Sequence, residues 1–539
     1  MANTASWLRG AALYQIYPLS FLDADGDGWG DLEGVLSGLD HIASLGVDGV
    51  WICPFYPSPL ADFGYDVADH RDVDRRMGNL ATFDRVLEAA HARGLKVIID
   101  LVLGHTSDEH PWFRASRRSR SGPLADRYVW ADPAPDGMPP NNWLSVFGGS
   151  AWTWEPRRRQ YYLHHFLSSQ PSLNLHDAAC LQEMLDTAAF WLERGVDGFR
   201  IDAVDFFAHD PELRPNPALG WQGEPPVKLF GLQRHVHDMM HPTIRTVLER
   251  LRAVADRYEG RVLLGELSSQ PGGSQRIARY TAPGGLHAAY TLGVAKQPFG
   301  ARPFAEALTG VDDPGAICWS LSNHDVERAI SRWLPDGADP ERFNALLAAL
   351  FCALPGTVCL YQGEELALPR ATLAQAELRD PFGKTYWPEF QGRDGSRTPL
   401  PWRADADHCG FTAASAPWLP VPAAHRAHAI DRLDARPDGP LAVWRTTLAL
   451  RRAHPALRHG AVAAVEAEGA VLAFERVAEG ERVLAVINTA DAPAELSLKH
   501  RPRATPLDLP RPAGAPPAEV TADGRTLVLP PLTAWLGLA

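Results

Sequence analysis

Acidic side chains end several apolar segments of this 539-residue chain, where they could do acid–base or nucleophilic chemistry. The residues concerned are Asp100, Asp202, Glu266 and Asp325. Arg200 precedes Asp202 by two residues, so both side chains are expected on one face of a strand. Carboxylates that converge beside a permanently charged guanidinium suit glycosidic chemistry, in which one attacks the anomeric carbon and another protonates the leaving oxygen.

The same carboxylates have plainer explanations, which stay open at this point. A carboxylate at a strand end often caps a helix or accepts a hydrogen bond from a loop. Converging carboxylates could also bind a divalent metal, and His105 and His324 lie nearby in the sequence. Metal-assisted hydrolysis usually adds a His-x-His pair or similar ligands near a strand end, and the sequence places none there.

The segments that carry these residues repeat one pattern, in which an amphipathic helix is followed by a glycine and a short apolar strand. Gly46, Gly94 and Gly195 separate helix from strand in three copies. Buried strands interleaved with helices are typical of a parallel sheet covered by helices. Eight such strands predict a closed (β/α)₈ TIM barrel of the α/β class, with an open doubly wound sheet as the alternative. The strand candidates are Leu13–Tyr17, Val47–Cys53, Leu95–Asp100, Val196–Asp202, Val262–Glu266, Ala288–Leu292, Ile317–Asp325 and Thr357–Glu364.

Three intervals depart from the barrel pattern and predict additional domains. Residues 105–174, after the third strand, hold five of the 17 tryptophans and predict an inserted domain over the barrel mouth. Residues 206–240, after the fourth strand, predict a shorter, lid-like insertion. Residues 456–539 contain short strands between turns and predict a C-terminal antiparallel β-sandwich domain. The catalytic barrel is then expected in two parts, 1–104 and 175–455.

Charge and cysteine usage limit the partners and the compartment. Asp and Glu number 65 against 52 Lys and Arg, giving a formal net charge of −13 that disfavours nucleic acid as a partner. Neither a leader peptide nor an apolar stretch long enough to cross a bilayer is apparent. Six scattered cysteines without a CxxC pair predict reduced, buried thiols. We therefore expect a cytoplasmic protein that binds neither nucleic acid nor membrane.

Several motifs resemble those of a known family. DLVLGHTS at 100–107, GFRIDA at 198–203, GE at 265–266 and SNHD at 322–325 resemble the four signature regions of the α-amylase family of glycoside hydrolases (family 13). Further stretches are similar to its α-glucosidase and oligo-1,6-glucosidase branch. They are residues 12–32, DFGYDV at 62–67, YQGEE at 361–365 and GRDGSRTPLPW at 392–402.

The resemblance implies catalytic roles for three carboxylates. Asp202 would be the nucleophile that forms a β-glucosyl-enzyme, and Glu266 would be the general acid and then the base. Asp325 would bind sugar hydroxyls and stabilise the oxocarbenium-like transition state. We expect the charge of Arg200 to keep Asp202 ionised, while a less polar environment raises the pKa of Glu266.

The resemblance also implies a closed sugar pocket. It implies hydroxyl-binding histidines, a tyrosine stacking platform, and an Asp–Arg pair that grips the non-reducing end, so that cleavage is exo-acting. These residues are His105, His324, Tyr65, Asp62 and Arg397. Phe147 and Phe166 would form apolar walls, with core packing as the alternative.

An Asp-rich loop near the start predicts a structural calcium site. Asp23, Asp25 and Asp27 alternate with other residues, and glycines allow a tight turn, as a calcium loop requires. The resemblance implies one Ca²⁺ held with the help of the Trp29 carbonyl and Asp31. A solvated acidic turn is the alternative, and no organic cofactor is expected.

Three positions bear on specificity. Gly104 precedes His105 where this branch usually has Asn or Ser, and Gln170-PSLN lacks the acidic residue of the family's fifth signature. Ala203 follows the nucleophile, which in this branch goes with α-1,4 linkages. The sequence therefore predicts a retaining exo-α-glucosidase for short α-glucosides, acting as a monomer or homodimer, with transglucosylation possible. A dedicated glucosyl transferase or sucrose-using relative is the alternative, and a non-catalytic sugar-binding or scaffold barrel is a remote one.

Overall fold

Eight parallel strands form the centre of the molecule. The computed structural model describes residues 7–221, 226–499, 501 and 503–539. Neighbouring strands pair in parallel, and a bridge between Ala289 and Ile317 joins the two ends of the sheet, so the sheet closes. The strands are β1 (Ala12–Ile16), β2 (Gly49–Ile52), β3 (Lys96–Leu101), β4 (Gly198–Ile201), β5 (Val262–Leu267), β6 (Ala288–Thr291), β7 (Cys318–Trp319) and β8 (Thr357–Tyr361). The predicted TIM barrel is confirmed.

One main helix follows each strand and covers the barrel. Asp31, Asn79, Asp177 and Asp339 accept hydrogen bonds from backbone N–H groups of the first turn of four helices, which fixes where these helices begin. Gly46 ends the first helix with φ +80°, a conformation that suits glycine. The helices are α1 (Leu32–Leu45), α2 (Leu80–Ala92), α3 (Ala178–Glu193), α4 (Ile244–Ala255), α5 (Gly273–Thr281), α6 (Ala301–Thr309), α7 (Pro340–Ala353) and α8 (Pro440–Ala453).

Shorter helical segments lie in the connections. The α-helical ones are Pro111–Ser116, Leu292–Ala295, Ala329–Trp333, Pro381–Tyr386, Asp394–Arg397, Ile430–Asp434 and Pro455–His459. The 3₁₀ segments are Pro18–Ser20, Val204–Phe206, Leu229–Leu232, Pro314–Ala316, Glu364–Leu366, Gln375–Glu377, Asp407–Gly410 and Ala423–His428.

The interval between β3 and α3 contains a small antiparallel sheet. Its strands are Trp130–Ala131, Trp152–Glu155 and Gln160–Leu163. Trp143 and Trp152 stack at 5.8 Å between ring centroids inside a separate small core. These two tryptophans therefore serve packing rather than sugar contact.

The connection after β4 is bound to this interval by polar contacts. Gln233 Nε2 donates to the Asn142 carbonyl at 2.6 Å, and the indole N–H of Trp143 donates to the Arg214 carbonyl at 2.9 Å. Part of the 206–240 segment, residues 222–225, lies outside the described residues, as do residues 1–6.

Two antiparallel sheets form the C-terminal region. The first contains Ala461–Glu468, Val471–Ala478, Glu481–Asn488, Thr533–Leu538 and Thr505–Pro506, and the second contains Ala494–Ser497, Thr526–Leu529 and Glu519–Val520. Buried apolar residues of both sheets, such as Leu484 and Leu527, share one cluster. The predicted antiparallel C-terminal domain is confirmed.

Within the described residues, none of the helices combines the length and apolarity needed to cross a membrane. All six cysteines are buried and unpaired.

Candidate active site

The carboxyl ends of β3, β4, β5 and β7 bring four acidic residues to one mouth of the barrel. Asp100 lies in β3 opposite Arg200 of β4, and Asp202 directly follows β4. Glu266 is the penultimate residue of β5, and Asp325 lies in the loop after β7. Parallel strands present their carboxyl ends at one edge, which is why residues distant in sequence meet here.

Arg200 connects three of these carboxylates. Its side chain is fully buried. Nη1 contacts Asp100 and lies 2.7 Å from Oδ1 of Asp202, and Nη2 lies 2.5 Å from Oε2 of Glu266. Nε donates to the Tyr290 hydroxyl at 3.0 Å. One guanidinium thus fixes the predicted nucleophile and the predicted acid in a common geometry.

Burial controls the ionisation of this pair. Loss of water raises the pKa of Asp202 to about 7 and that of Glu266 to about 7, although Arg200 acts in the opposite direction on both. This differs from the expectation that Arg200 keeps Asp202 ionised while a less polar environment raises the pKa of Glu266. The sequence reveals the guanidinium, but not the loss of water that both carboxyls share.

Asp325 has the opposite electrostatics. Burial alone would raise the pKa of Asp325, but His324, Arg393 and Arg397 outweigh it and hold the pKa well below its usual range. Burial also lowers the pKa of His324 to about 4, so at neutral pH the two arginines supply the positive charge. Asp325 therefore stays an anion, and its side chain is 25% exposed toward the pocket.

Asp62 pairs with a different arginine from the one expected. Arg393 Nη2 lies 2.8 Å from Asp62 Oδ1, whereas Arg397 Nη2 lies 2.9 Å from Asp325 Oδ1 and Arg397 Nε donates to the His324 carbonyl. The short helix Asp394–Arg397 places these arginines about one turn apart on the same face. The motif shows both residues, but the backbone decides which carboxylate each reaches.

Tyr65 and His324 form a stacked floor. Their ring centroids are 5.1 Å apart with an interplanar angle of 4°, and Tyr17 stacks on the other side of His324 at 5.8 Å. Gln15 Nε2 donates to His324 Nδ1 at 2.8 Å, which leaves Nε2 of that ring to carry the proton, 3.1 Å from Asp325.

The two phenylalanines expected to form apolar walls each contact other aromatic rings. Phe147 contacts Phe382 at 4.5 Å between centroids, and Phe166 contacts His105 and Phe206 at 5.1 Å. His105 Nε2 lies 3.0 Å from the Tyr65 carbonyl oxygen.

The departures from the family pattern have local structural counterparts. Gln170 donates to Asp62 Oδ2 at 3.1 Å, so its motif still contributes a polar group here. A β-carbon on Gly104 would lie 3.5 Å from Phe207, in ordinary contact. Ala203 adopts a positive φ of 45°, and its N–H donates to Glu266 Oε2 at 3.2 Å.

The Asp-rich loop gathers part of the predicted calcium site. Ligand oxygens of Asp23, Asp25 and Asp27 lie within 4.8 Å of one another, and such hard oxygen donors fit Ca²⁺. Asp31 is not part of this group; its carboxylate accepts hydrogen bonds from the backbone of Ala24, Asp25 and Gly34 and caps α1. The N–H of Trp29 donates to Asp27 at 2.8 Å.

Sequence reasoning missed two residues that organise the pocket. Arg393 contacts Asp62, Asp325 and Asp380, and Asp380 is fully buried. The four-residue spacing between Arg393 and Arg397 was the available signal. Asp380 had none, because a buried carboxylate in a loop is recognisable only from its neighbours.

Comparison with known proteins agrees with this geometry. The chain matches the model of the alpha amylase catalytic domain over residues 15–460 and that of the maltogenic amylase C-terminal domain over residues 462–533. It is 47% identical over 505 residues to a probable alpha-glucosidase of Rhizobium meliloti, covering 92% of this chain and 91% of that protein. An oligo-1,6-glucosidase of Heyndrickxia coagulans is 32% identical, with 90% of this chain and 92% of that protein covered.

A solved structure is similar over its whole length. The alpha-glucosyl transfer enzyme XgtA superposes with a TM-score of 0.93 and 46% identity, covering 99% of each chain. The family models, the relatives and the barrel-mouth carboxylates together show that this chain belongs to the α-amylase family of glycoside hydrolases and is an enzyme of the α-glucosidase type.

Proposed function

We propose that the protein is a retaining exo-α-glucosidase that releases glucose from the non-reducing end of short α-glucosides. The observation that carries this proposal is the contact of one buried guanidinium, that of Arg200, with both Asp202 and Glu266. Two carboxyl groups held by one guanidinium at the barrel mouth can share the attack and the proton transfer.

Two displacements at the anomeric carbon make up the reaction. Glu266 donates its proton to the glycosidic oxygen while Asp202 attacks the anomeric carbon, so the C–O bond to the leaving group breaks and a β-glucosyl ester forms. Glu266, now a carboxylate, takes a proton from water. The water oxygen then attacks the same carbon, the ester bond to Asp202 breaks, and glucose leaves with the α configuration retained.

The raised pKa of Glu266 supports its role as the acid. The pKa of each carboxyl is raised to about 7, and the productive form has Asp202 ionised and Glu266 protonated. Asp325, held as an anion by two arginines, stabilises positive charge that develops on the sugar ring.

Closure of the pocket supports exo action. The ion pair of Asp62 with Arg393 and the contacts of Asp325 with Arg393 and Arg397 join the loops after β2, β7 and β8. Ion pairs that join these loops support a pocket that is closed beyond the non-reducing end. Ala203 supports a preference for α-1,4 linkages, as the resemblance implies.

Transglucosylation is the second candidate function. It is favoured by the similarity to a protein described as an alpha-glucosyl transfer enzyme. The same glucosyl ester would then be attacked by a sugar or phenol hydroxyl instead of water. Product analysis with maltose, isomaltose, sucrose, trehalose and maltotetraose, with and without hydroquinone, separates the two functions by the ratio of free glucose to transfer product.

We further propose that Asp23, Asp25 and Asp27, with the Trp29 carbonyl, hold a structural Ca²⁺. When bound, the ion would neutralise carboxylates and stiffen the loop, and it takes no part in the chemistry. The six unpaired, buried cysteines support a reducing compartment, the cytoplasm.

A trapped intermediate tests the proposed reaction. Incubation with 5-fluoro-α-D-glucosyl fluoride should add one fluoroglucosyl unit, and peptide mass analysis should place it on Asp202. Asp202→Asn should remove both the adduct and glucose release from an aryl α-glucoside. Undiminished release by that variant, or an adduct on another residue, would refute the mechanism.

A further inference from the structure

Asp380 is a buried carboxylate whose contacts converge on one arginine. Its Oδ2 accepts hydrogen bonds from the backbone N–H of Arg393 at 2.7 Å and from Nε at 3.1 Å. Its Oδ1 accepts from Nη2 of Arg393 at 2.8 Å and from the N–H of Phe382 at 3.1 Å. Asp380 is fully buried, so a substrate cannot touch it.

The backbone around Asp380 is itself fixed. Asp394 Oδ2 accepts from the N–H groups of Arg379 and Asp380 at 2.6 and 2.7 Å. Asp394 follows Arg393 directly, so hydrogen bonds in both directions join residues 379–380 to residues 393–394. Asp380 is therefore a rigid support rather than a mobile counter-ion.

Arg393 uses most of its N–H donors in contacts with protein carboxylates. A guanidinium has five N–H donors in a fixed planar fork. Four of them are used: Nε and one Nη2 donor on Asp380, the other Nη2 donor on Asp62 at 2.8 Å, and one Nη1 donor on Asp325 at 2.9 Å. The remaining Nη1 donor has no protein acceptor within the part of the chain that the structure describes.

Asp380 therefore binds Nε and Nη2 of Arg393, while Nη1 and the other Nη2 donor bind the pocket carboxylates Asp325 and Asp62. Arginine has a long side chain that loses much rotamer freedom when it is fixed. Without Asp380, the contacts of Arg393 with Asp62, Asp325 and the substrate would have to offset the conformational entropy that the side chain loses when it is fixed.

We propose that Asp380 is a positioning residue for the glucosidase reaction, which orients Arg393 so that its free Nη1 donor meets the hydroxyl at carbon 4 of the substrate's terminal glucose. The proposal rests on the function proposed above, because it assumes that glucose occupies the pocket. It assigns to Asp380 a share in recognising the non-reducing end, through Arg393.

The test couples a change in the protein to a change in the substrate. For the unaltered enzyme, 4-nitrophenyl α-glucoside and its 4-deoxy analogue should differ in kcat/KM by roughly tenfold to a hundredfold, because hydrogen bonds to charged groups are strong. In Asp380→Asn this discrimination should shrink to about threefold or less, chiefly through activity lost on the parent glucoside. Asp380→Glu should restore part of it.

Asp197→Asn is the matched control. Asp197 is also a buried carboxylate that holds basic groups, with Lys96 at 3.0 Å and Arg261 at 2.9 Å, but it lies at the opposite end of the barrel. It should lower stability while leaving the discrimination at carbon 4 as in the unaltered enzyme. Asp380→Ser provides a second variant if Asp380→Asn does not fold.

The outcomes separate this proposal from the function on which it rests. Equal losses on both substrates in Asp380→Asn, with discrimination unchanged, would give Asp380 a purely structural role and overturn the proposal. Failure of the unaltered enzyme to cleave either glucoside would refute the proposed function instead. Calorimetric affinities for glucose and 4-deoxyglucose would still test the role of Asp380. A positioning role predicts that the unaltered enzyme binds glucose more tightly than 4-deoxyglucose and that Asp380→Asn does not.

Discussion

At the scale of residues, Arg200 is the shared counter-ion of three carboxyls whose ionisation is controlled by burial. Within the described residues, no other basic side chain forms an ion pair with Asp100, Asp202 or Glu266. One positive charge therefore serves three buried carboxyls. Desolvation outweighs it at each of them, and burial also raises the pKa of Asp100 to about 6. The pocket thus retains protons at pH values where ordinary carboxyl groups have lost theirs.

This ionisation predicts a pH profile centred near neutrality. Protonation of Asp202 on the acidic side removes the nucleophile, and ionisation of Glu266 on the alkaline side removes the acid. Because both pKa values are raised to about 7, the acidic limb of kcat/KM should lie well above pH 4. Initial rates on an aryl α-glucoside between pH 4 and pH 9 measure it, and constant kcat/KM from pH 4.5 to 7 would contradict it.

Glu266→Gln should separate the two halves of the acid–base role. The amide cannot donate the proton, so kcat/KM on maltose should fall by roughly a hundredfold to ten-thousandfold. A glucoside with a good leaving group, such as 2,4-dinitrophenyl α-glucoside, should lose far less in the first step. Added azide should then speed turnover and yield the α-glucosyl azide, because its attack on the β-glucosyl ester inverts the anomeric carbon. Equal losses on both substrates would argue against Glu266 as the acid.

At the scale of elements, two connections that follow different strands contact each other. Lys228, in the connection after β4, places its amino group 3.6 Å from the Phe390 ring centroid and 4.2 Å from that of Phe382. Phe382 in turn contacts Phe147. Cation–π contact thus links the segment around Lys228 to the segment Pro381–Phe390.

Lys228→Met should loosen this link and change chain-length preference. The side chain keeps a similar length but loses a contact of about 0.5–2 kcal/mol. We expect kcat/KM on maltotetraose to rise a few-fold relative to maltose. Lys384→Met is the control, because Lys384 is exposed on the helix Pro381–Tyr386. An equal change in the ratio of kcat/KM on maltotetraose to kcat/KM on maltose in both variants would show that the contact of Lys228 does not set this preference.

The Asp-rich loop predicts a calcium-dependent stability. If Asp23, Asp25 and Asp27 hold the ion, a chelator should lower the Tm by several degrees, since a ligand that binds only the folded state stabilises it. Asp27→Asn should lower the Tm and remove most of its dependence on Ca²⁺. Asp40→Asn, at an exposed position of α1, should leave that dependence intact. No response of the unaltered protein to chelator or added Ca²⁺ would exclude the site.

At the scale of the whole molecule, a buried arginine of the C-terminal domain and a buried arginine of the barrel helix α8 both contact the end of α7. Arg476, in the strand Val471–Ala478, donates to the Ala353 carbonyl at 2.6 Å. Arg451 of α8 donates to the carbonyls of Cys352 and Leu354 at 2.8 and 2.7 Å. Both therefore satisfy carbonyl groups at the end of α7 that no intrahelical donor can reach.

Arg476→Met should destabilise the protein without altering its chemistry. It leaves buried carbonyls unpaired, at a cost of about 2–4 kcal/mol, and should lower the Tm by several degrees. Because the contact lies at the end of α7, away from the carboxyl ends of the strands, kcat and KM at 25 °C should not change. Arg525→Met, at an exposed position of the C-terminal domain, is expected to be nearly neutral. A comparable Tm for the two variants would contradict this account.

The barrel was predictable because each strand is an uninterrupted apolar segment bounded by a helix and a glycine or a polar end. Asp202 and Glu266 were predictable because strand ends fix their position, whereas Asp325 lies in the loop after β7 and was predictable only from its SNHD motif. The partner of Asp62 was not, because Arg393 and Arg397 share one helical face. The role of Asp31 as the cap of α1 and the raised pKa of Asp202 depend on neighbours and on burial that arise only in the folded chain.

The surplus of carboxylates in the pocket has a consequence for small cations. Six acidic groups face three guanidiniums there: Asp62, Asp100, Asp202, Glu266, Asp325 and Asp380 against Arg200, Arg393 and Arg397. Such a pocket attracts a compact ammonium ion that carries hydroxyl groups. The ion resembles a sugar with positive charge at its anomeric carbon in both its charge and its hydrogen-bonding groups. Amino-alcohol buffers should therefore compete with substrate, so that the KM measured in them exceeds the KM measured in phosphate.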